Sequence, residues 1–145
     1  MSFSAIVVAA GSGTRAGAGT PKAWRRLGGR AIARWSVEAL LAAGADDIAV
    51  AVAPDMIETA KSALGELPNI TLVEGGATRS ASVRAAIKAL SPHRRDQPVL
   101  VHDAARPFLT RDHVSQALAA LTEADWAILA LPLADTLKRE AGPRL

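Results

Sequence analysis

Ala5-Ile6-Val7-Val8-Ala9-Ala10 runs straight into Gly11-Ser12-Gly13-Thr14-Arg15, and Gly17, Gly19, Pro21 and Lys22 follow. The first stretch is apolar on both faces, as a strand buried between two layers of helices must be. The second is a long glycine-rich loop, and such a loop at the carboxyl end of a strand exposes backbone N–H groups to an anion. It lacks Gly-Lys-Ser/Thr and so is not a P-loop. Gly11-Ser12-Gly13-Thr14-Arg15-Ala16 fits the loose dinucleotide pattern, but that pattern needs a helix to start within it. Gly17, Gly19 and Pro21 oppose one. The loop reads as a long wrap suited to a triphosphate, with Arg15 and Lys22 reaching over it.

Charge supports that reading. No Asp or Glu precedes Glu38, so the first 37 residues carry +6 and the remainder −3 within a net +3. The alternative is an ordinary turn with a solvated basic face. A nucleic-acid partner is disfavoured, because the cations are concentrated in one region and two Phe and three Trp offer little base stacking.

Working outward, apolar runs at Phe3–Ala9, Asp47–Ala53, Ile70–Glu74, Val99–Asp103 and Ala127–Leu131 have the length of buried strands. Helical periods lie between them at Ile32–Ala43, Asp55–Leu64, Arg79–Leu90 and Arg111–Glu123. Gly44 reads as the C-terminal glycine of the first helix and Thr110 as the cap of the last. The alternation predicts an α/β fold: one open, mostly parallel, Rossmann-like sheet with helices on both faces. A chain of 145 residues half made of hydrophobic residues fits one domain with a core. With no cysteine it has neither disulfides nor a thiolate metal site. The N-terminus has no charged n-region and no run long enough to span a membrane, so a cytoplasmic protein is expected.

In an open α/β sheet ligands bind outside the carboxyl ends of the strands. Four loops meet there: Gly11–Lys22, Gly75–Ser80, Asp103–Pro107 and Asp135–Lys138. Asp103 either holds Mg²⁺, which typically takes one or two carboxylates plus phosphate oxygens, or caps the following turn. His102 points to the opposite face of its strand and reads as structural. Gly75-Gly76 permits close backbone approach to a flat base. Ser80 reads as the N-cap of the next helix. Ser82 is either a ligand contact or a solvated serine in the first turn.

Together, Ala9-Ala10-Gly11-x-Gly13-x-Arg15, Pro21-Lys22, Gly75-Gly76-x-x-Arg79-x-x-Ser82-Val83, Val101-His102-Asp103-Ala104-Ala105-Arg106-Pro107 and Asp135-Thr136-Leu137-Lys138 closely resemble the 2-C-methyl-D-erythritol 4-phosphate cytidylyltransferase family. The resemblance implies a nucleotidyltransferase that joins CTP to methylerythritol phosphate and releases pyrophosphate, in the non-mevalonate route to isoprenoids. It implies that Ala9, Ala10, Gly11 and Gly13 line the CTP site and that Gly75, Gly76 and Ser82 recognise cytosine and ribose. Arg15 and Lys22 would neutralise charge on the α-phosphate. Asp103 would bind Mg²⁺, and with Ala104, Arg106 and Thr136 it would contact the acceptor. Thr136 would begin an arm toward a partner subunit in a homodimer.

Where the family often has Gln after Pro-Lys, this chain has Ala23. Family members also continue past position 145. The chain is therefore expected to be a CTP-binding domain lacking its C-terminal part, sometimes followed by a fused cyclodiphosphate synthase. Alternatives from the same residues are a cytidylyltransferase for another polyol phosphate such as ribitol 5-phosphate, a catalytically incomplete nucleotide-binding module and, more remotely, a dinucleotide-dependent oxidoreductase.

Overall fold

β1 (Phe3–Ala9), β4 (Ala45–Val52), β5 (Ile70–Glu74) and β6 (Val99–Asp103) form a four-stranded parallel sheet of order β5-β4-β1-β6. The computed structural model describes residues 1–11, 19–92, 96–132, 134 and 136. β1 pairs with β4 on one side and β6 on the other, so Val7 faces Val50 and His102, and Val8 faces Ala51 and Asp103.

The period-2 alternation sorts the sheet into two cores. Phe3, Ala5, Val7 and Ala9 join Ile48, Val50 and Val52 beneath α1 (Ile32–Ala42), α2 (Ile57–Leu64) and α4 (Arg111–Ala120). Ile6, Val8, Ala49 and Ala51 face α3 (Arg79–Ala89), which contributes Ala86. The many alanines allow this: small side chains let α3 come close to the strands while losing little rotamer entropy. The chain steps from β1 to β4 to β5 with its helices on one face, then crosses back over the other face through α3 to β6. That reversal beside β1 is the switch point where such sheets open a crevice.

Local signals account for the helix ends. Gly44 has φ +95° and its N–H donates to Leu41 O at 2.9 Å, the expected left-handed stop. Thr110 Oγ1 accepts from His113 N–H at 3.2 Å while His113 Nδ1 accepts from Thr110 N–H at 3.3 Å, a reciprocal cap. The expected helix start at Asp55 is a 3₁₀ turn, Pro54–Met56, before α2 proper.

Two features depart from the sequence expectation. Residues 127–131 form no strand. An apolar run becomes a strand only where a neighbour completes its ladder, and no described strand pairs with this one. Ile128 and Leu131 stand 76% and 93% exposed, and Val101 on the open edge of β6 is 42% exposed. The second is a small antiparallel hairpin within the basic region: β2 (Arg26–Leu27) and β3 (Arg30–Ala31) around Gly28 and Gly29, both at positive φ. The geometry is that of a two-residue primed turn, which demands glycine-like conformations at both positions. Trp35 Nε1–H donates to Leu27 O at 2.8 Å, and the Arg30 guanidinium lies 4.9 Å from the Trp35 ring centroid. Among the described residues no helix is long and apolar enough to cross a membrane.

Candidate functional site

The carboxyl ends of β1 and β6, with the loop after β5, enclose a cleft of about 1060 Å³. Ala9, Ala10, Gly11, Lys22, Gly76, Ser82, Asp103 and Arg106 all line it, so residues from four of the quoted motifs meet in one place. Gly13 and Arg15 lie outside the described residues, as do Asp135, Leu137 and Lys138. Thr136 is exposed and is not part of the cleft wall.

Lys22 owes its position to its neighbours. It opens a 3₁₀ turn, Lys22–Trp24, closed by Trp24 N–H donating to Pro21 O at 2.9 Å. Trp24 is 4% exposed and packs into the larger core, so the turn is anchored while the Lys22 side chain stays in solvent at the cleft mouth. Ala23 also lines the cleft.

The glycine pair is also packed against the protein's own chain. A Cβ on Gly75 would lie 2.3 Å from Ala10 Cβ and 3.0 Å from Ser82 Oγ, and one on Gly76 would lie 2.5 Å from Ala81 Cβ. Segments of the protein itself therefore approach closely at both glycines. Gly75 locks the β5 loop against the β1 loop from behind the cleft wall, its N–H donating to Val52 O at 2.8 Å, and Gly76 forms the wall. Ser82 is 1% exposed rather than solvated. Its Oγ accepts from Gly76 N–H at 3.1 Å and lies 3.0 Å from Thr78 O, to which it can donate. It holds the shape of the loop. The N-cap of α3 is Thr78, whose Oγ1 accepts from Ala81 N–H at 3.1 Å, and not Ser80 as expected. The capped amino end of α3 thus points its positive dipole end at the cleft.

Asp103 is the hub of the charged wall. Its Oδ1 accepts from Arg79 Nη2 at 3.1 Å and its Oδ2 from Arg106 Nε at 3.1 Å. Both pairs are open to solvent, so each contributes only ~0.2–1 kcal/mol and rearranges readily. Lys22, Arg79 and Arg106 against one carboxylate leave the described wall net positive. Arg79 stood in the quoted motif without a role; its place as the first residue of α3, after a loop leaving β5, is what brings it here. Ala104, expected at the acceptor, is fully buried, with its N–H donating to Val8 O at 3.1 Å and its carbonyl accepting from Ser36 Oγ at 3.0 Å. Ala105 lines the cleft.

His102 faces the other way, as strand alternation requires. Its Nε2–H donates to Arg106 O at 2.9 Å, bracing the loop that carries Arg106. Burial lowers its pKa below 6.5, outweighing that hydrogen bond and the Asp103 charge, which both raise it. Three of the six early cations are also redirected. Arg26, Arg30 and Arg34 line a different cleft from the one that Lys22 lines.

A family model described as IspD, 2-C-methyl-D-erythritol 4-phosphate cytidylyltransferase, matches residues 3–144. The chain is 50% identical over 140 residues to a bifunctional enzyme IspD/IspF of Caulobacter vibrioides, covering 97% of this chain and 37% of that protein. It is 41% identical over 147 residues to a 2-C-methyl-D-erythritol 4-phosphate cytidylyltransferase of Cereibacter sphaeroides, covering 65% of it. A crystal structure of a protein of that name from Thermus thermophilus superposes with a TM-score of 0.69 at 34% identity, over 97% of this chain and 60% of that one. The chain thus spans between about a third and two thirds of the length of these relatives. From the match along nearly its whole length, and from motifs that converge on one cleft, the chain belongs to the 2-C-methyl-D-erythritol 4-phosphate cytidylyltransferase family.

Proposed function

We propose that the protein containing this chain transfers the cytidylyl group of CTP to 2-C-methyl-D-erythritol 4-phosphate and releases pyrophosphate. The observation that carries this is the convergence of Lys22, Arg79, Asp103, Arg106 and the amino end of α3 on one cleft at the switch point. A phosphate oxygen of the acceptor attacks the α-phosphorus of CTP. The new P–O bond forms as the bond from the α-phosphorus to the α,β-bridging oxygen breaks, and that electron pair leaves with pyrophosphate. No nucleophilic side chain is required. The protein supplies position and positive charge where negative charge grows. Lys22 faces the phosphates, with Arg15 expected beside it; Gly76, held by Ser82, offers backbone to the base; Arg106 reaches the acceptor phosphate.

Asp103 suits Mg²⁺ in one limited way. Among the described residues no three His, Asp or Glu side chains gather as a ready-made metal cage. A single carboxylate facing a phosphate-binding cleft matches a cation that takes most of its remaining ligands from phosphate and water. Arg79 or Arg106 would release one Asp103 oxygen on binding. Held there by Asp103, Mg²⁺ would offset the negative charge of the phosphates. Homodimerisation through an arm beginning at Thr136, and residence in the cytoplasm, belong to the same reading.

Pyrophosphate release by the intact gene product, with CTP and either methylerythritol phosphate or ribitol 5-phosphate, tests the reading. Turnover with the first acceptor and strong preference over the second is expected. No Mg²⁺-dependent CTP binding by a folded protein, with ATP as control, would overturn it.

A further inference from the structure

Across the Lys22–Trp24 turn from the nucleotide cleft lies another, of about 570 Å³, between the β2–β3 hairpin and α2. We infer that this second cleft binds a multivalent phosphate anion of the diphosphate class, independently of the first. Arg26, Arg30 and Arg34 line it from β2, β3 and α1. They are not loosely splayed. Glu38 accepts from Arg30 Nη1 at 3.0 Å and from Arg34 Nε at 2.8 Å, so one carboxylate holds two guanidinium groups side by side. Arg34 Nη1 also donates to Ala63 O at 2.9 Å, tying α1 to α2. Each guanidinium has five N–H donors in a planar fork, and these contacts occupy only part of each set.

The charge balance favours an anion. Glu38 offsets one of the three cations. Glu58, the acidic residue in the wall, is paired with Lys61 at 2.7 Å. The cleft therefore keeps a net positive charge. Thr59 and Ser62 line the α2 side, one turn apart, and offer hydroxyl donors opposite the arginines. A carboxylate or a single halide would use one fork. A diphosphate, with oxygens on two phosphorus atoms, can engage forks from separate elements and the hydroxyls together. Trp24 closes the inner end, and its buried Nε1–H has no acceptor among the described residues. Such a donor is under-satisfied as it stands and gains from any shift that brings an oxygen to it. The same turn carries Lys22 and Ala23 into the nucleotide cleft, so the two sites share one short rigid piece of backbone.

Inorganic pyrophosphate is the probe. The three tryptophans, Trp24, Trp35 and Trp126, give three indole N–H resonances. Titration into the ¹⁵N-labelled protein should move the Trp24 and Trp35 signals to saturation and leave exposed Trp126 in place. The apparent Kd should weaken at least about tenfold in R26A/R30A, the loss expected for two charge-assisted phosphate contacts. It should hold within about twofold in K22A, because separate sites are nearly additive. R26K, keeping charge without the fork and leaving the hairpin turn intact, should lie between. Shifts abolished by K22A but retained in R26A/R30A would put all pyrophosphate in the nucleotide cleft and overturn the inference. So would shifts that rise linearly without saturation. CTP turnover, measured separately, fails or survives on its own: R26A/R30A should keep it, and its absence from the wild type would not affect this titration.

Discussion

The two clefts flanking Trp24 are both cationic, yet they are built in opposite ways. The nucleotide cleft is carved from strand ends and held by contacts of the backbone: Gly75 against Ala10, Ser82 on the Gly76 loop, Ala104 sewn to Val8 and Ser36. Its described charges, Lys22, Arg79, Asp103 and Arg106, sit on that frame. The second cleft rests on a two-stranded hairpin and a helix face, and its shape depends on side-chain ion pairs around Glu38. A backbone-built site places donors to within a fraction of an ångström, as chemistry requires. A site built from arginines is adaptable and suits binding alone.

Removing a charge separates them most sharply. Lys22→Ala should lower turnover of the intact enzyme by about 10²- to 10³-fold, the range for losing one preorganised group that stabilises transition-state charge. Thermal stability should hardly change, since the side chain is exposed. Steady-state kinetics beside a melting curve reads both. A drop in affinity with unchanged kcat would show that Lys22 serves ground-state binding only.

A steric change comes next. Gly75→Ala places a methyl 2.3 Å from Ala10 Cβ. The β1 and β5 loops must part, and overpacking of this kind costs about 1–3 kcal/mol. CTP binding should fall with stability while pyrophosphate shifts at Trp24 persist. Loss of both together would mean that the clefts share one frame after all. A smaller loss of about 1 kcal/mol is expected for Thr78→Ala, which removes the cap of α3 at the cleft and leaves α1 and α2 untouched. Chemical denaturation would read it, and no change in midpoint would show that water replaces the cap.

Most of the first cleft was legible in sequence, and most of the second was not, for a physical reason. β1, β5 and β6 match their expected bounds because each is an apolar run closed by turn residues, and a parallel sheet sends all their following loops to one edge. Charge is different: counting cations says nothing about where they point. Arg26 and Arg30 are turned aside by Gly28-Gly29, a two-residue hairpin signal that stands in the sequence just past the Gly11–Lys22 loop. Ala104 and Ala105 could not be told apart, since side chains in a turn follow no period. Residues 127–131 carry strand-like composition, but a ladder depends on a partner far away in the chain. Thr78 capping in place of Ser80 is a shift of two residues within a run of cap-forming side chains, Thr78-Arg79-Ser80-Ala81-Ser82.

The smallest expected effect is of pH, and it tests whether the strand beneath the nucleotide cleft answers separately from the hairpin. His102 lies on the core face of β6, opposite the cleft-facing Asp103, and burial holds its pKa below the 6.5 of a free imidazole. The folded protein therefore binds fewer protons at this site than the unfolded chain. Its contribution is fully present above about pH 6.5 and is lost as pH falls from there through the lowered folded value. The Nε2–H donated to the Arg106 carbonyl at 2.9 Å is kept on protonation and favours the charged ring, so the loss comes from burial of the charge and is reduced by this bond. Wild-type melting temperature should fall more steeply than that of His102→Gln between about pH 7 and 5, while the Trp24 and Trp35 indole signals should not move over that range. Parallel melting slopes would place the acid sensitivity elsewhere, and indole shifts tracking the His102 titration would join the two clefts through the sheet.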